Sequence, residues 1–261
     1  EGIRLVTQQD TIRMIWLNND NPLLKNAKIR STLRDALEWK SLGDRLNHNT
    51  DTPANGFISP DAMAFGQKYR TGANAKNPVS KGHQAYAELA AGLEQAGIEK
   101  VPALTLLCAD DEYSSDIARF VVQSWQKNLS LYFKIETVTA SELATRVKVG
   151  NYQIALYEFT APGAEAIDAL KCFATGALGN YAHFSNKSYD SRLASAFGAS
   201  ERSVLESLES ELWKACPSIP LSFECRFVGI PEGDSGIIVR PFGGGAFGAP
   251  YDFRGAGKKV K

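Results

Sequence analysis

The chain has 261 residues, of which 44% are hydrophobic and 22% are charged, and both values are ordinary for a globular protein. The 29 basic and 29 acidic residues cancel to a formal net charge of zero, which argues against a nucleic-acid-binding protein, since such proteins normally carry a basic stripe. No run of about 18 apolar residues occurs, so the sequence predicts no membrane-spanning helix.

The first third of the chain predicts a strand, a helix and a long irregular segment. Residues from Thr11 to Asn18 are apolar on both faces of an extended chain, which is typical of a central, covered strand. Apolar residues at helical spacing predict a helix from about Asn26 to Leu46, weakened near Gly43. From His48 to Lys81 the periodicity disappears, and a loop of this length is usually functional or packed against another segment.

The middle of the chain predicts alternating helices and strands. From Pro102 to Phe159 the order strand–helix–strand–helix–strand forms two βαβ units, so we expect parallel pairing with right-handed crossovers. The predicted elements are a helix from Ala85 to Ala96 that ends at Gly97, a strand from Pro102 to Cys108, a helix capped by Ser114 that reaches Leu129, a strand from Leu131 to Val138, a helix from Ser141 to Val149 and a strand from Tyr152 to Phe159.

The last part of the chain predicts two helices and one strand before the pattern ends. The helices run from Ser188 to Phe197 and from Ser200 to Cys216, and an apolar strand runs from Pro220 to Ile230. From Pro231 onward the chain is rich in glycine and lacks periodicity. We therefore expect this last segment to lie outside the main core.

Motifs for metal binding or catalysis are scarce. The three histidines, His48, His83 and His183, are far apart, and no His-Glu-x-x-His or Cys-x-x-Cys motif occurs, so the sequence predicts no metal and no cofactor. A Gly-x-Ser-x-Gly nucleophile turn is also absent. The glycine-rich stretch 241–248 lacks the Gly-Lys-Ser/Thr ending of a phosphate loop. These features argue against an enzyme.

Cysteines and acidic residues leave open alternatives. The four cysteines permit three disulfide pairings, with Cys216 and Cys225 nearest in sequence, and buried, unreactive thiols are the other interpretation of them. The acidic residues 110–112 are explained equally well as paired carboxylates or as an acidic first turn that interacts favourably with a helix dipole.

Five local patterns occur together, and in the same order, in one protein family. They are Trp16–Pro22 (WLNNDNP) followed by Lys28–Leu37 (KIRSTLRDAL), the turn Pro53–Pro60 (PANGFISP), Ala87–Ala90 (AELA) in a helix that ends at Ala96–Ile98, Trp125–Leu129 (WQKNL), and Asn180–Phe184 (NYAHF) running into Ser188–Leu193 (SYDSRL). In these patterns the chain resembles the family 5 solute-binding proteins of ABC transporters, the peptide and nickel class.

This resemblance implies an α/β fold, namely a periplasmic-binding-protein type II lobe with a mixed β-sheet covered by helices. The match begins where the family's chain enters its carboxy-terminal lobe. Residues 1–235 are then expected to form that lobe, and the glycine-rich tail 236–261 to return to a first lobe. That first lobe, with a signal peptide and a lipid-attachment cysteine, is expected to precede this chain.

The function that the resemblance implies is substrate binding for an ABC importer. A peptide or similar small solute would bind between two lobes and be delivered to membrane permease subunits by a cell-surface lipoprotein or a periplasmic protein. Two alternatives remain at this stage. One is the ligand-sensing domain of a transcription regulator, and the other is a hydrolytic enzyme.

Candidate ligand contacts follow the strand ends, because open α/β sheets bind ligands at the carboxyl ends of their strands. In the family an Asp after the strand that matches 152–159 pairs with the peptide amino group, whereas this chain has Pro162 there. Either capture of the amino group is lost in this chain or Glu158 takes over that role. The predicted contacts are Tyr157, Glu158, Phe159 and Thr160 after this strand, Glu112, Tyr113 and Ser114 after the strand that ends at Cys108, and Arg146 as a carboxylate partner.

Overall fold

The computed structural model describes residues 2–47, 50–71, 78–196, 198, 201–232, 237–242 and 245–248. The strands are β1 (Ile3–Gln8), β2 (Thr11–Leu17), β3 (Thr52–Pro53), β4 (Met63–Ala64), β5 (Gln67–Lys68), β6 (Leu104–Ala109), β7 (Phe133–Val138), β8 (Ile154–Thr160), β9 (Ser218–Phe223), β10 (Arg226–Pro231), β11 (Ile237–Arg240) and β12 (Gly245–Gly248). The helices are α1 (Ala27–Asp35), α2 (Trp39–Asn47), α3 (Gln84–Gln95), α4 (Glu112–Leu129), α5 (Ala140–Lys148), α6 (Ala166–Lys171), α7 (Lys187–Ala196) and α8 (Arg202–Ala215).

A mixed sheet with the strand order β3-β9-β2-β8-β6-β7 forms the centre of the fold. Strand β6 runs parallel to both β7 and β8, which confirms the two predicted βαβ units. Strand β2 pairs antiparallel with β8 on one side and with β9 on the other. All positions of β2 are buried, as predicted for a central strand that is covered on both faces.

Helices cover both faces of this sheet. The side chains of each strand alternate between the faces, and apolar side chains on both faces need to be buried. On β2, Met14 and Trp16 enter one core with α5, α6, α7 and α8. Ile15 and Leu17 enter the opposite core with α1, α2, α3 and α4. The predicted architecture, a mixed sheet covered by helices, is therefore confirmed.

The long helix predicted for residues 26–46 is wrong, because two helices, α1 and α2, occupy this range. Their break lies before Trp39 and not at Gly43, which is inside α2. Side chains of the distant helix α4 bond the carbonyl groups at the end of α1: the Trp125 indole donates to Leu33 O at 2.8 Å, and the Asn128 amide donates to Ala36 O at 2.8 Å. These bonds replace the hydrogen bonds that a continuous helix would make.

The predicted Ser114 cap is also wrong, because α4 begins three residues earlier than such a cap implies, at Glu112. The side chain of Asp111 is the N-cap and accepts a hydrogen bond from Ser114 N at 2.8 Å. Of the two interpretations of the acidic stretch 110–112, the acidic helix start is therefore confirmed. The helix ends at Ser130, which adopts the left-handed conformation with φ 54°.

The apolar run predicted as one strand from Pro220 to Ile230 consists of two strands, β9 and β10. At Glu224 and Cys225 the chain leaves the main sheet, and β10 then pairs antiparallel with β1. Two hydrogen bonds hold this link: Glu224 N donates to Thr11 O at 3.0 Å, and Cys225 N donates to Asp51 Oδ1 at 3.1 Å. The β1–β10 ribbon therefore continues from the ends of β2 and β9.

The ribbon has one exposed apolar face. Ile3, Leu5 and Phe227 share this face by their register, and they are 66%, 65% and 51% exposed. Beyond the ribbon, β11 and β12 form an antiparallel hairpin, and Phe242 packs against the core that contains Trp16. The predicted boundary at 235/236 and the end of the tail, 249–261, lie outside the described residues.

Of the irregular segment predicted for residues 48–81, residues 50–71 contain only the short strands β3, β4 and β5, and residues 48–49 and 72–77 lie outside the described residues. Glu209 of α8 holds this segment by accepting hydrogen bonds from Phe57 N at 2.8 Å, Ile58 N at 3.1 Å and the Tyr69 hydroxyl at 2.9 Å. The segment is thus packed on α8. Within the residues described above, none of the helices has the length and apolar character needed to cross a membrane.

Candidate functional site

One edge of the sheet collects most of the predicted contact residues. The carboxyl ends of β6 and β8 lie there because these strands are parallel. The amino end of β2 and the carboxyl end of β9 lie at the same edge because β2 is antiparallel to both β8 and β9. Glu158 is near the end of β8, and Tyr113 and Ser114 form the first turn of α4 directly after β6.

Arg13, which the sequence analysis missed, joins these residues. Its Nη2 lies 3.3 Å from Glu158 Oε1 and 2.5 Å from Glu224 Oε1. Its Nη1 donates to Ser114 Oγ at 3.4 Å, and its guanidinium carbon lies 4.9 Å from the centroid of the Tyr113 ring. The signal was present in the sequence, because Arg13 is the one charged residue in the strand Thr11–Leu17.

The position of Arg13 near the amino end of β2 brings it to this edge. The register of β2 against β9 shifts between Arg13 and Met14, and the extra residue, Leu221, lies on β9. Arg13 is only 8% exposed, so its charge needs acidic partners in the fold.

The surroundings of Arg13 are acidic. Asp51 accepts a hydrogen bond from the Tyr113 hydroxyl at 2.9 Å, and burial raises the pKa of Tyr113 above its usual value. Burial also raises the pKa of Glu224 to about 7, and the nearby charges of Glu158 and Asp51 add to the rise while Arg13 opposes it. A cationic group would therefore be favoured at this edge, and an anion would be repelled.

The other face of β8 is aromatic. Phe159 is buried in a cluster with Trp16 and Phe173, and Tyr181 packs on Trp16 with ring centroids 5.1 Å apart. The Trp16 indole donates to Tyr157 O at 3.2 Å, which fixes the strand against this cluster. Next to the cluster is a cavity of about 420 Å³, lined by Phe159, Thr160, Pro162, Lys171, Cys172, Ala177, Leu178, Gly179 and Tyr181.

The remaining predicted contacts are spread around the sheet. Thr160 lines the cavity, and its hydroxyl lies 2.7 Å from that of Thr11. Glu112 is exposed in the first turn of α4. Arg146 does not join them, because it lies near the end of α5 and pairs with Glu136 at 2.6 Å. The structure thus brings together the residues after β6 and β8 but leaves Arg146 apart.

Metal-binding and cysteine chemistry are not evident at this edge. In the described part of the chain, no group of three or more His, Cys, Asp and Glu side chains is placed to hold a metal ion. The four cysteines are all unpaired, and Cys225 is the only one that is not buried. Burial raises the pKa of Cys108 and Cys172 to about 11, which favours the unreactive thiol form.

Comparisons with known proteins agree with the fold. The dipeptide-binding protein DppE of Bacillus subtilis strain 168 is 25% identical over 226 residues, which cover 84% of this chain and 41% of that protein. The substrate-binding domain of an oligopeptide ABC transporter from Bacillus anthracis Ames superposes with a TM-score of 0.79 at 18% identity, covering 93% of this chain and 49% of that one. The structure of Listeria monocytogenes OppA bound to peptide superposes with a TM-score of 0.78 at 20% identity, and the match covers 93% of this chain and 48% of that one.

At these identities the two solved structures support the fold alone, and the fold is that of a periplasmic-binding-protein type II lobe. The chain spans less than half the length of each of these three relatives. The family described as bacterial extracellular solute-binding proteins, family 5 middle, matches residues 5–180, which is most of the chain. This chain therefore belongs to family 5 of the bacterial extracellular solute-binding proteins.

Proposed function

We propose that this chain is the carboxy-terminal lobe of the substrate-binding component of an ABC importer. It binds a peptide or similar small solute against a second lobe and delivers it to permease subunits in the membrane. The observation that carries this proposal is the end of β8, where the acidic cluster around Arg13 lies on one face and the aromatic cavity on the other. Open α/β sheets bind ligands at this kind of edge.

The exposed apolar face of the β1–β10 ribbon supports a second lobe. This face consists of the exposed side chains of Ile3, Leu5 and Phe227. An apolar face of this kind is normally buried against another layer. The ribbon joins the sheet through both β2 and β9, so it is the natural hinge about which two lobes close on a ligand. In this proposal residues 1–235 form the lobe, and the tail 236–261 returns to the first lobe.

The proposed contacts divide by chemistry. Glu158 binds the amino group of the ligand, supported by Tyr113, Ser114 and the exposed Glu112. Phe159 and Thr160 bind an apolar ligand side chain at the cavity that they line, and Tyr157 adds a contact beside Tyr181. We leave Arg146 out of this surface because Glu136 already pairs with it.

The same proposal implies where the protein works and that it is not an enzyme. A substrate-binding component works outside the cytoplasm, either as a cell-surface lipoprotein or in the periplasm, and it catalyses no reaction. The three relatives compared above are named as binding or transport proteins, and their names give no support to a transcription regulator.

The Glu158→Gln substitution in the protein that contains both lobes tests this proposal. A charge-assisted hydrogen bond to an ammonium group contributes about 1.5–3 kcal/mol, so affinity for an unblocked tripeptide library should fall roughly ten- to a hundredfold. The melting temperature should change little, because Glu158 is half exposed. Calorimetric titration measures the affinity.

Two comparisons make the result specific. Glu142 has the same side-chain exposure as Glu158, 54%, and also lies near an arginine, so Glu142→Gln is the matched control and should leave affinity unchanged. An N-acetylated library lacks the ammonium group and should bind wild type and Glu158→Gln equally. If Glu158→Gln keeps affinity for the unblocked library within about twofold, Glu158 is not the amine anchor.

A further inference from the structure

Two carboxyl groups compete for one guanidinium at the edge described above. Arg13 Nη2 contacts both Glu158 Oε1, at 3.3 Å, and Glu224 Oε1, at 2.5 Å. The two partners differ in environment, since the side chain of Glu158 is 54% exposed whereas that of Glu224 is 13% exposed. Glu158 is therefore accessible to a ligand, and Glu224 lies beneath it.

Charge around Glu224 does not balance. Arg13 faces it from β2, Glu158 from β8, Asp51 from the segment before β3, and the Tyr113 hydroxyl from α4. The charges of Glu158 and Asp51 thus both act on Glu224 and are opposed by that of Arg13. Burial raises the pKa of Glu224 to about 7, the guanidinium of Arg13 opposes this rise, and the negative charge of Glu158 adds to it. Near neutral pH, Glu224 therefore holds a proton in a fraction of the molecules.

Unused hydrogen-bonding groups lie in the same place. Among the described residues, Arg13 Nε and Ser222 Oγ are buried without a hydrogen-bond partner, and Glu224 Oε1 has its ion pair but no hydrogen bond of good geometry. Ser222 is fully buried and lies directly opposite Arg13 in the register of β9 and β2. Buried polar groups normally have partners, so this cluster retains capacity for another group.

We propose that Glu224 holds a proton beside Arg13 and the charge of Glu158, and that a cationic group of the ligand, bound at Glu158, takes the place of this proton. On binding, the O–H bond of the Glu224 carboxyl group breaks, the proton leaves to the solvent, and the resulting carboxylate pairs with Arg13. The ligand part of this inference rests on the proposed function. The coupling between the charge of Glu158 and the proton of Glu224 does not.

The coupling between the charge of Glu158 and the proton of Glu224 can be measured on the 261-residue chain without any ligand. Glu158→Gln removes the negative charge, as a bound cation would, so the titration midpoint of Glu224 should fall by about half a pH unit or more. Carbon-13 NMR of the glutamate side-chain carboxyl groups follows this midpoint, and Glu224→Gln identifies the signal. Glu142→Gln, matched in exposure, should leave the midpoint unchanged. A midpoint that moves by less than about 0.2 units in Glu158→Gln overturns the proposal.

Proton exchange by the ligand is then tested with the unblocked tripeptide library in the protein that contains both lobes. Its affinity should rise as pH increases from about 5.5 to about 7, where the peptide ammonium is still charged, by up to about tenfold per pH unit below the Glu224 midpoint, and Glu224→Gln should abolish this dependence. Peptide binding that is independent of pH overturns the exchange of ligand for proton. If no tripeptide binds but the NMR midpoint shifts as expected, the coupling stands and the proposed function fails.

Discussion

Arg70 and Glu209 form a two-pronged pair, with Nη2 2.5 Å from Oε1 and Nη1 3.1 Å from Oε2. The two side chains are 13% and 11% exposed, so both charges are largely removed from water. Together they fasten the irregular segment 50–71 to α8. Gly56 is needed for this close approach, because a Cβ at that position would lie 2.2 Å from Glu209 Oε1.

Glu209→Gln should destabilise the fold by about 3–5 kcal/mol, because it leaves the buried guanidinium of Arg70 without its counter-charge. Urea unfolding followed by circular dichroism measures this loss. Glu206→Gln, on the same helix but only half-buried, is the control and should cost less than about 1 kcal/mol. Equal losses in the two variants would contradict the anchoring role of Glu209.

Glu224 predicts a specific dependence of stability on pH. The pKa of Glu224 is near 4.5 in the unfolded chain and about 7 in the fold, so the folded state binds its proton more tightly. The stabilisation from this group is complete below pH 4.5 and is lost as pH rises to about 7. Between pH 5 and 7.5, wild type should therefore lose roughly 1–3 kcal/mol more stability than Glu224→Gln. The free energy of unfolding is measured by urea unfolding at each pH. If it changed with pH equally in the two proteins, this prediction would be contradicted.

Ser130 offers a stabilising substitution. It ends α4 in the left-handed conformation, with φ 54° and ψ 28°, which strains any residue that has a Cβ. Ser130→Gly should raise the free energy of unfolding by about 1 kcal/mol, measured by thermal and urea unfolding. Ser130→Ala retains the Cβ and should bring no gain. An equal gain in both variants would show that backbone strain is not the cause.

Thiol labelling of the native chain should distinguish Cys225 from the other cysteines. Cys225 is partly exposed, whereas Cys108, Cys172 and Cys216 are buried and burial raises the pKa of each thiol. We expect a thiol reagent at pH 7.5 to modify Cys225 first, as identified by peptide mass spectrometry. The Cys225→Ser variant should then react slowly at every site. Fast modification of Cys108 or Cys172 would indicate an activated thiol.

The sequence predicts the middle of the fold well because its signals are local. Strands β6, β7 and β8 are short apolar runs separated by amphipathic helices, and the crossover rule then determines their parallel pairing. Helix α1 is different, since its end depends on hydrogen bonds from Trp125 and Asn128, which lie far along the chain. Contacts of this kind leave no mark in the periodicity of residues 26–46.

For the candidate site, a strand end could be predicted but its partners could not. Glu158 follows from its position at the end of an apolar strand. Glu224 lies inside the run that was predicted as one strand. Hydrophobicity does not reveal that the chain before Glu224 pairs with β2 as β9 and that the chain after it pairs with β1 as β10. Arg13 was detectable as a charge in a covered strand, although only the fold shows that it is shared between two carboxyl groups.

The position of β2 has a consequence for synthesis of the chain. Within this chain the strand is made before both of its neighbours, β8 and β9, and Ile12 pairs with both Phe159 and Phe223. The central strand therefore remains unpaired during synthesis until nearly the whole lobe has emerged from the ribosome. Strand β6 pairs only with β7 and β8, which follow it closely in sequence, so this unit can form before β8 pairs with β2. Release of a chain that ends before residue 223 would leave β2 with an open, apolar edge, which is a template for aggregation.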